Sequence, residues 1–129
     1  DFSNAMREAY ETFPGDLDVA CIFVEAIMNR TPWQMWDQAT GAVAAGAGTT
    51  EAQAVLEEML DRHKESWAHP GVLHLYVHLM EMSPVPEKAL KAGCPSPLKL
   101  GHYICLERGS WNGTETAFRR RRFKAAARY

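Results

Sequence analysis

His74, His78 and Glu81 are the residues whose types and spacing best suit chemistry. On a helix, positions i, i+4 and i+7 share one face. The spacing therefore places two imidazoles and a carboxylate side by side. Such donors suit Zn, Fe, Mn or Cu, and two histidines one turn apart can ligate a single ion. Leu73, Leu75, Tyr76, Val77, Leu79 and Met80 around them are apolar, so a polar stripe here needs partners or solvent. His102 and Cys105, three residues apart, are candidates to complete a site from the following hairpin. A plainer account has both histidines bonded to neighbouring carbonyls, Glu81 facing water and Cys105 acting as a small buried hydrophobe. Spacing alone favours this plainer account. His63 and His69 flank a loop and are expected to be solvated. The zinc-protease pattern needs Glu directly after the first histidine, where Leu75 stands. The glycine-rich residues 41–48 lack the Lys-Ser/Thr ending of a phosphate loop. Ser66, Ser83 and Ser110 have no nucleophile-elbow context.

Trp33, Met35 and Trp36 follow Thr31-Pro32 directly and are candidates to line a ligand groove, joined by Tyr76 and Glu25. Locking a turn onto the core is the favoured role for the tryptophans, because the Pro-Trp pair comes straight after a helix end. Glu25 is a lone acid in an otherwise apolar helix, where an acid needs a partner such as a backbone N–H or an arginine. The run Arg119–Arg122 invites a nucleic-acid role. Four consecutive residues spread around a helix rather than forming one face. Aromatic interleaving is limited to Phe118, Phe123 and Tyr129. Nucleic-acid binding is therefore disfavoured against a solvated or docked terminal helix.

With 129 residues, of which 47% are hydrophobic and 23% charged, the chain has the profile of one globular domain. No apolar run is long enough to span a membrane, and no signal peptide is visible in the sequence. Three cysteines, Cys21, Cys94 and Cys105, do not make a disulfide framework. Reducing conditions and a cytoplasmic location are expected. The net charge of −2 conceals an asymmetry. The last 11 residues hold six of the 14 cations and no acid, which leaves eight cations against 16 acids over residues 1–118. The chain does not begin with Met and opens almost directly into helical pattern, as expected for a piece of a longer or processed protein.

Apolar spacing of three and four predicts helices that position these groups. One spans residues 3–13, capped by Ser3, with Ala5/Met6, Ala9/Tyr10 and Phe13 recurring at that spacing. Pro14-Gly15-Asp16 turns the chain, and Asp16 caps a second helix over about 17–29 that is apolar on most sides and so buried between neighbours. Residues 38–48, rich in Gly and Ala, are expected to form a mobile loop. Thr50 to Gln53 has capping-box spacing and opens a helix to about His63. Pro70 opens the helix of His74 and His78, which runs to about Met82. Further helices are expected to Ala92, from Ser96 to Arg108, and over about 114–128. The resulting fold class is all-α: stacked antiparallel hairpins at about 3–29, 50–82 and 84–108 plus a terminal helix, in a single domain.

In the first hairpin, Tyr10, Phe23 and Ala26 have the mutual spacing of the tetratricopeptide consensus Tyr, Phe and Ala. Along the chain come Phe13-Pro14-Gly15-Asp16-Leu17-Asp18, Glu25-Ala26-Ile27-Met28-Asn29 and Thr31-Pro32-Trp33-Gln34-Met35-Trp36-Asp37. His69-Pro70-Gly71, His74-Leu75-Tyr76-Val77-His78 and Ser83-Pro84-Val85-Pro86-Glu87-Lys88-Ala89 follow. In this combination the chain resembles the central part of a poorly characterised, largely bacterial family of tetratricopeptide-repeat proteins, over about residues 4–92. The resemblance implies a right-handed solenoid of helical hairpins with a concave groove. Family members carry a second histidine-rich stretch, and here only Leu100-Gly101-His102-Tyr103-Ile104-Cys105 stands in its place.

The expected function is that of a helical-repeat interaction scaffold binding a protein or peptide partner. The alternative is a metal-binding protein or metal-dependent enzyme with His74, His78 and Glu81, joined by His102, around a divalent transition metal.

Overall fold

The computed structural model describes residues 1–89 and Ala92. Among these residues the chain is all-α: four α-helices, two short 3-10 segments and no strand. The first helix, α1 (Phe2–Thr12), is capped by Asp1, which accepts from the Ser3 backbone N–H at 3.2 Å. Ser3 was the expected cap. It instead lies within the first turn, buried, its hydroxyl 3.3 Å from Asp1 Oδ2. The next helix, α2 (Leu17–Met28), begins where the sequence places it, with Asp16 Oδ1 accepting from the Asp18 and Val19 N–H groups at 3.0 Å.

The third helix, α3 (Thr49–Arg62), has Gly48 at its N-cap and no side-chain cap, so Thr50 is already helical. The capping-box spacing fails here because Thr49 is drawn inward: its hydroxyl donates 2.7 Å to the Met35 carbonyl. A 3-10 segment, Lys64–Ala68, closes the far end of α3. Ser66 Oγ donates to the Met59 carbonyl at 2.8 Å and Trp67 Nε1 to the Leu60 carbonyl at 3.0 Å. The Met59 carbonyl accepts from the His63 N–H at 3.1 Å as well, and the Leu60 carbonyl, in the last turn of α3, is given a donor by the indole. The fourth helix, α4 (Pro70–Met80), leads to a second 3-10 segment, Pro86–Ala89.

Helix α2 is the centre of the bundle: it packs on α1, α3 and α4, while α3 packs on α4. That position explains its near-uniform apolarity, since Phe23, Val24, Ala26 and Ile27 are all buried. Tyr10 of α1 stacks on Phe23 with ring centroids 5.3 Å apart, and the Arg7 guanidinium sits 5.6 Å from the same ring. Arg7 also makes a two-pronged pair with Glu51 of α3, at 2.9 and 2.8 Å. Phe13, read as the last residue of the first helix, is the C-cap of α1 and is 58% exposed.

The glycine-rich segment between α2 and α3 is tied down by hydrogen bonds. Trp36 and Val43 form an antiparallel bridge, Asp37 N–H donates to the Ala42 carbonyl at 2.8 Å, and Ala44 N–H donates to the Met35 carbonyl at 3.1 Å. Asp37 Oδ1 accepts from the N–H groups of Ala39 and Thr40 at 2.8 and 3.2 Å. These bonds hold the Asp37 carboxyl below its usual pKa. Gly41 turns the chain at φ +74°, a backbone region open to glycine. The later helices expected between Ser96 and Arg108 and over about 114–128, with His102, Cys94, Cys105 and Arg119–Arg122, lie outside the described residues. Among the described residues no helix is long and apolar enough to cross a membrane.

Candidate functional site

Helix α4 organises the candidate site, and its first turn is built from a residue that sequence reasoning set aside. His69 is the N-cap, and its Nδ1 accepts from the Val72 N–H at 3.3 Å. Asp18 Oδ1 lies 3.2 Å from His69 Nε2 and Cys21 Sγ lies 3.9 Å from Nδ1. This arrangement joins α2 to the start of α4 rather than activating a nucleophile. The Nδ1 lone pair already receives a backbone N–H, and burial, then the charges of Asp18 and Glu25, pushes the Cys21 thiol up to about 11. A thiol so raised carries almost no thiolate at neutral pH. His69 was expected in solvent, and it escaped notice because caps are sought among Ser, Thr, Asp and Asn.

Below the cap, Val72, Leu73, Tyr76, Val77, Leu79 and Met80 face the interior. Tyr76 and Trp36, both groove candidates, are core residues. The Tyr76 hydroxyl donates 3.2 Å to Glu57 of α3, and burial, then the Glu57 charge, pushes it up to about 12. Glu57 Oε1 also accepts from Gln53 at 2.9 Å and Lys88 at 3.1 Å. Burial works to raise the Glu57 pKa, but these donors outweigh it and hold the carboxyl below its usual value. The Trp36 indole N–H donates 2.6 Å to the Leu79 carbonyl and so fastens the loop to the end of α4. Glu25 is exposed on α2, with no need of a buried partner.

The opposite side of α4 carries the histidines. His74 is exposed, while the side chains of His78 and Glu81 are 33% and 20% accessible. The two imidazole rings meet edge to face with centroids 4.4 Å apart. His78 Nδ1 lies 3.2 Å from Glu81 Oε1. The i, i+4, i+7 face read from the sequence is therefore present. Glu81, however, is engaged with His78 rather than standing as a third donor of equal rank. Among the described residues no group of three or more His, Cys, Asp or Glu is arranged to hold a metal ion.

Trp33 completes this face. It is 68% exposed, and its indole meets the His78 ring edge-on at 6.1 Å. The Gln34 N–H bonds the Thr31 carbonyl at 3.0 Å, which makes residues 31–34 a turn with Pro32 second and Trp33 third. Trp33 has φ +61°, and among the described residues it is the one non-glycine with positive φ. The pattern is that of a type II turn, whose third position ordinarily takes glycine. A bulky residue held in that region costs roughly 1–3 kcal/mol. Sequence reading named Trp33 but could not separate it from Trp36. The two have the same type, three residues apart, and opposite fates.

No protein-family model matches this chain, and neither a curated protein nor a solved structure matches it.

Proposed function

We propose that the chain is a helical-repeat interaction domain of tetratricopeptide type, its hairpins arranged as a solenoid, that binds a protein or peptide partner through the face formed by Trp33, His74 and His78. Trp33 carries this reading: a large aromatic occupies a turn position that suits glycine, and two-thirds of it is exposed. Strained residues cluster where function requires them, and tryptophan is among the residues that most often dominate binding energy at interfaces. The spacing of Tyr10, Phe23 and Ala26 supports the repeat type. A cytoplasmic location belongs to the same proposal and rests on cysteine usage. Nucleic acid is disfavoured as the partner. The metal-dependent enzyme has less support, since among the described residues no group of three or more His, Cys, Asp or Glu is arranged to hold a metal ion.

The test is Trp33→Gly. Relief of backbone strain should raise stability by about 1 kcal/mol, measured by urea denaturation. The same substitution should remove the partner, identified by quantitative crosslinking in the source cells and then titrated as a purified protein. A variant that gains no stability, or that retains the partner with unchanged affinity, would sink the proposal.

A further inference from the structure

We infer that the outer side of α1 is a docking surface for residues 118–129 of the same chain. The inference stands apart from the partner proposed for the Trp33 face. It rests on an uncovered apolar stripe along α1 and on a basic segment of the sequence that repeats the spacing of that stripe.

Helix α1 packs mainly on α2, with Met6 and Tyr10 turned to the core and Ser3 buried. Phe2, Ala5, Ala9 and Phe13 recur at spacings of three and four along the adjoining side. Phe2 is 64% and Phe13 58% exposed; Ala5 is exposed and Ala9 half-buried. Two aromatic rings thus stand about 16 Å apart along the helix with alanine between them. A second helix can approach closely at the middle and be gripped at both ends. Phe118, Arg122, Ala125 and Tyr129 would share one face of a helix. Both sets run from an aromatic at i, through alanine at i+7, to an aromatic at i+11. Charge matches as well. Residues 1–29 carry six acids and one cation, Arg7, which is held by Glu51. Residues 118–129 carry six cations and no acid. In an antiparallel alignment Phe13 meets Phe118 and Phe2 meets Tyr129. Asp1 and Glu8, exposed along one edge of the α1 stripe, then run beside Arg128 and beside Arg121 and Lys124. A parallel alignment would turn those cations to the other edge, where Met6 and Tyr10 meet the core. The 25 residues from 93 to 117 reach up to about 80 Å when extended, more than the width of a domain of this size.

The experiment places the photocrosslinker p-benzoylphenylalanine at position 118 or, in a separate protein, at position 129 of the full 129-residue chain. After irradiation the attached peptides are identified by mass spectrometry. The probe at 118 should attach to residues 9–13 and the probe at 129 to residues 2–6. A mixture of isotope-labelled and unlabelled protein should show that each attachment lies within one chain. Phe2→Ser with Phe13→Ser should lower the yield by about fivefold or more, because the apolar contact is lost. Both rings are exposed, so this variant keeps the fold, which far-UV circular dichroism confirms. Arg121→Glu should also lower the yield, and adding Glu8→Arg to the same chain should restore it. Trp33→Phe, on the other face, should leave the yield within about twofold. The proposal falls if either probe attaches elsewhere on the chain, attaches only to a second chain, or attaches to nothing. It falls also if the yield survives Phe2→Ser with Phe13→Ser, or if the charge exchange restores nothing.

Discussion

Removing one indole nitrogen should destabilise this domain more than removing any surface ion pair. Trp36→Phe keeps an aromatic ring in the core and deletes the N–H that reaches the Leu79 carbonyl at 2.6 Å. Leu79 is fully buried and lies in the last turn of α4, so its carbonyl has no partner in the helix itself. The hydrogen bond contributes about 0.5–1.5 kcal/mol, and a buried carbonyl left without a donor costs roughly 1–3 kcal/mol. The smaller phenyl ring adds a small void. A loss of about 2–4 kcal/mol follows, a large part of the 5–15 kcal/mol that typical domains possess. Urea denaturation followed at 222 nm measures it as a lower midpoint at unchanged slope. Trp33→Phe is the matched control: its ring is in solvent, and it should shift stability by less than about 0.5 kcal/mol. If Trp36→Phe falls within 0.5 kcal/mol of the parent chain, the loop is not fastened to α4 as described.

Gly48→Ala should destabilise by roughly 1–3 kcal/mol, and at this N-cap position glycine is already the better residue of the two. A Cβ at this position would collide with Cγ2 of Ile27, which is fully buried and cannot give way; thermal denaturation measures the loss. Acid should also weaken the fold through Glu57. Its folded pKa is depressed, so its contribution is present above the usual carboxylate pKa and is lost as pH falls through the lower folded value. Glu57→Gln should therefore be less stable at pH 7, by no more than about 1 kcal/mol given its solvent exposure. It should also lose less stability between pH 7 and pH 3 than the parent chain.

What could be read in advance was local. Asp16 followed by an apolar run marks the start of α2, and Pro70 marks the start of α4, because each acts within its own first turn. The face shared by His74, His78 and Glu81 follows from helical period alone. The misses are long-range. The role of His69 depends on Asp18, 51 residues away, and that of Trp36 on Leu79, 43 residues away. Residues 38–48 read as mobile because glycine and alanine carry no packing signal. Their order comes from Asp37 and from backbone bonds that no composition displays. Met35 shows the limit most plainly: its carbonyl draws Thr49 inward, and that contact moves the start of α3 off the capping-box position.

The same long-range bonds explain how Trp33 keeps its unfavourable backbone. A residue at φ +61° that costs roughly 1–3 kcal/mol survives only where its surroundings over-determine it. On one side Pro32 presets the turn, and the Gln34 N–H closes it on the Thr31 carbonyl at 3.0 Å. On the other, the Met35 carbonyl accepts from both Ala44 N–H and Thr49 Oγ1, while Trp36 is bonded to the end of α4. Residues 34–36 therefore cannot shift to release the strain without breaking buried hydrogen bonds worth at least as much. Two tryptophans three residues apart divide the work: the buried one holds the segment against α4, and the exposed one is held out beside His78. Trp33 is presented to solvent because Trp36 is not.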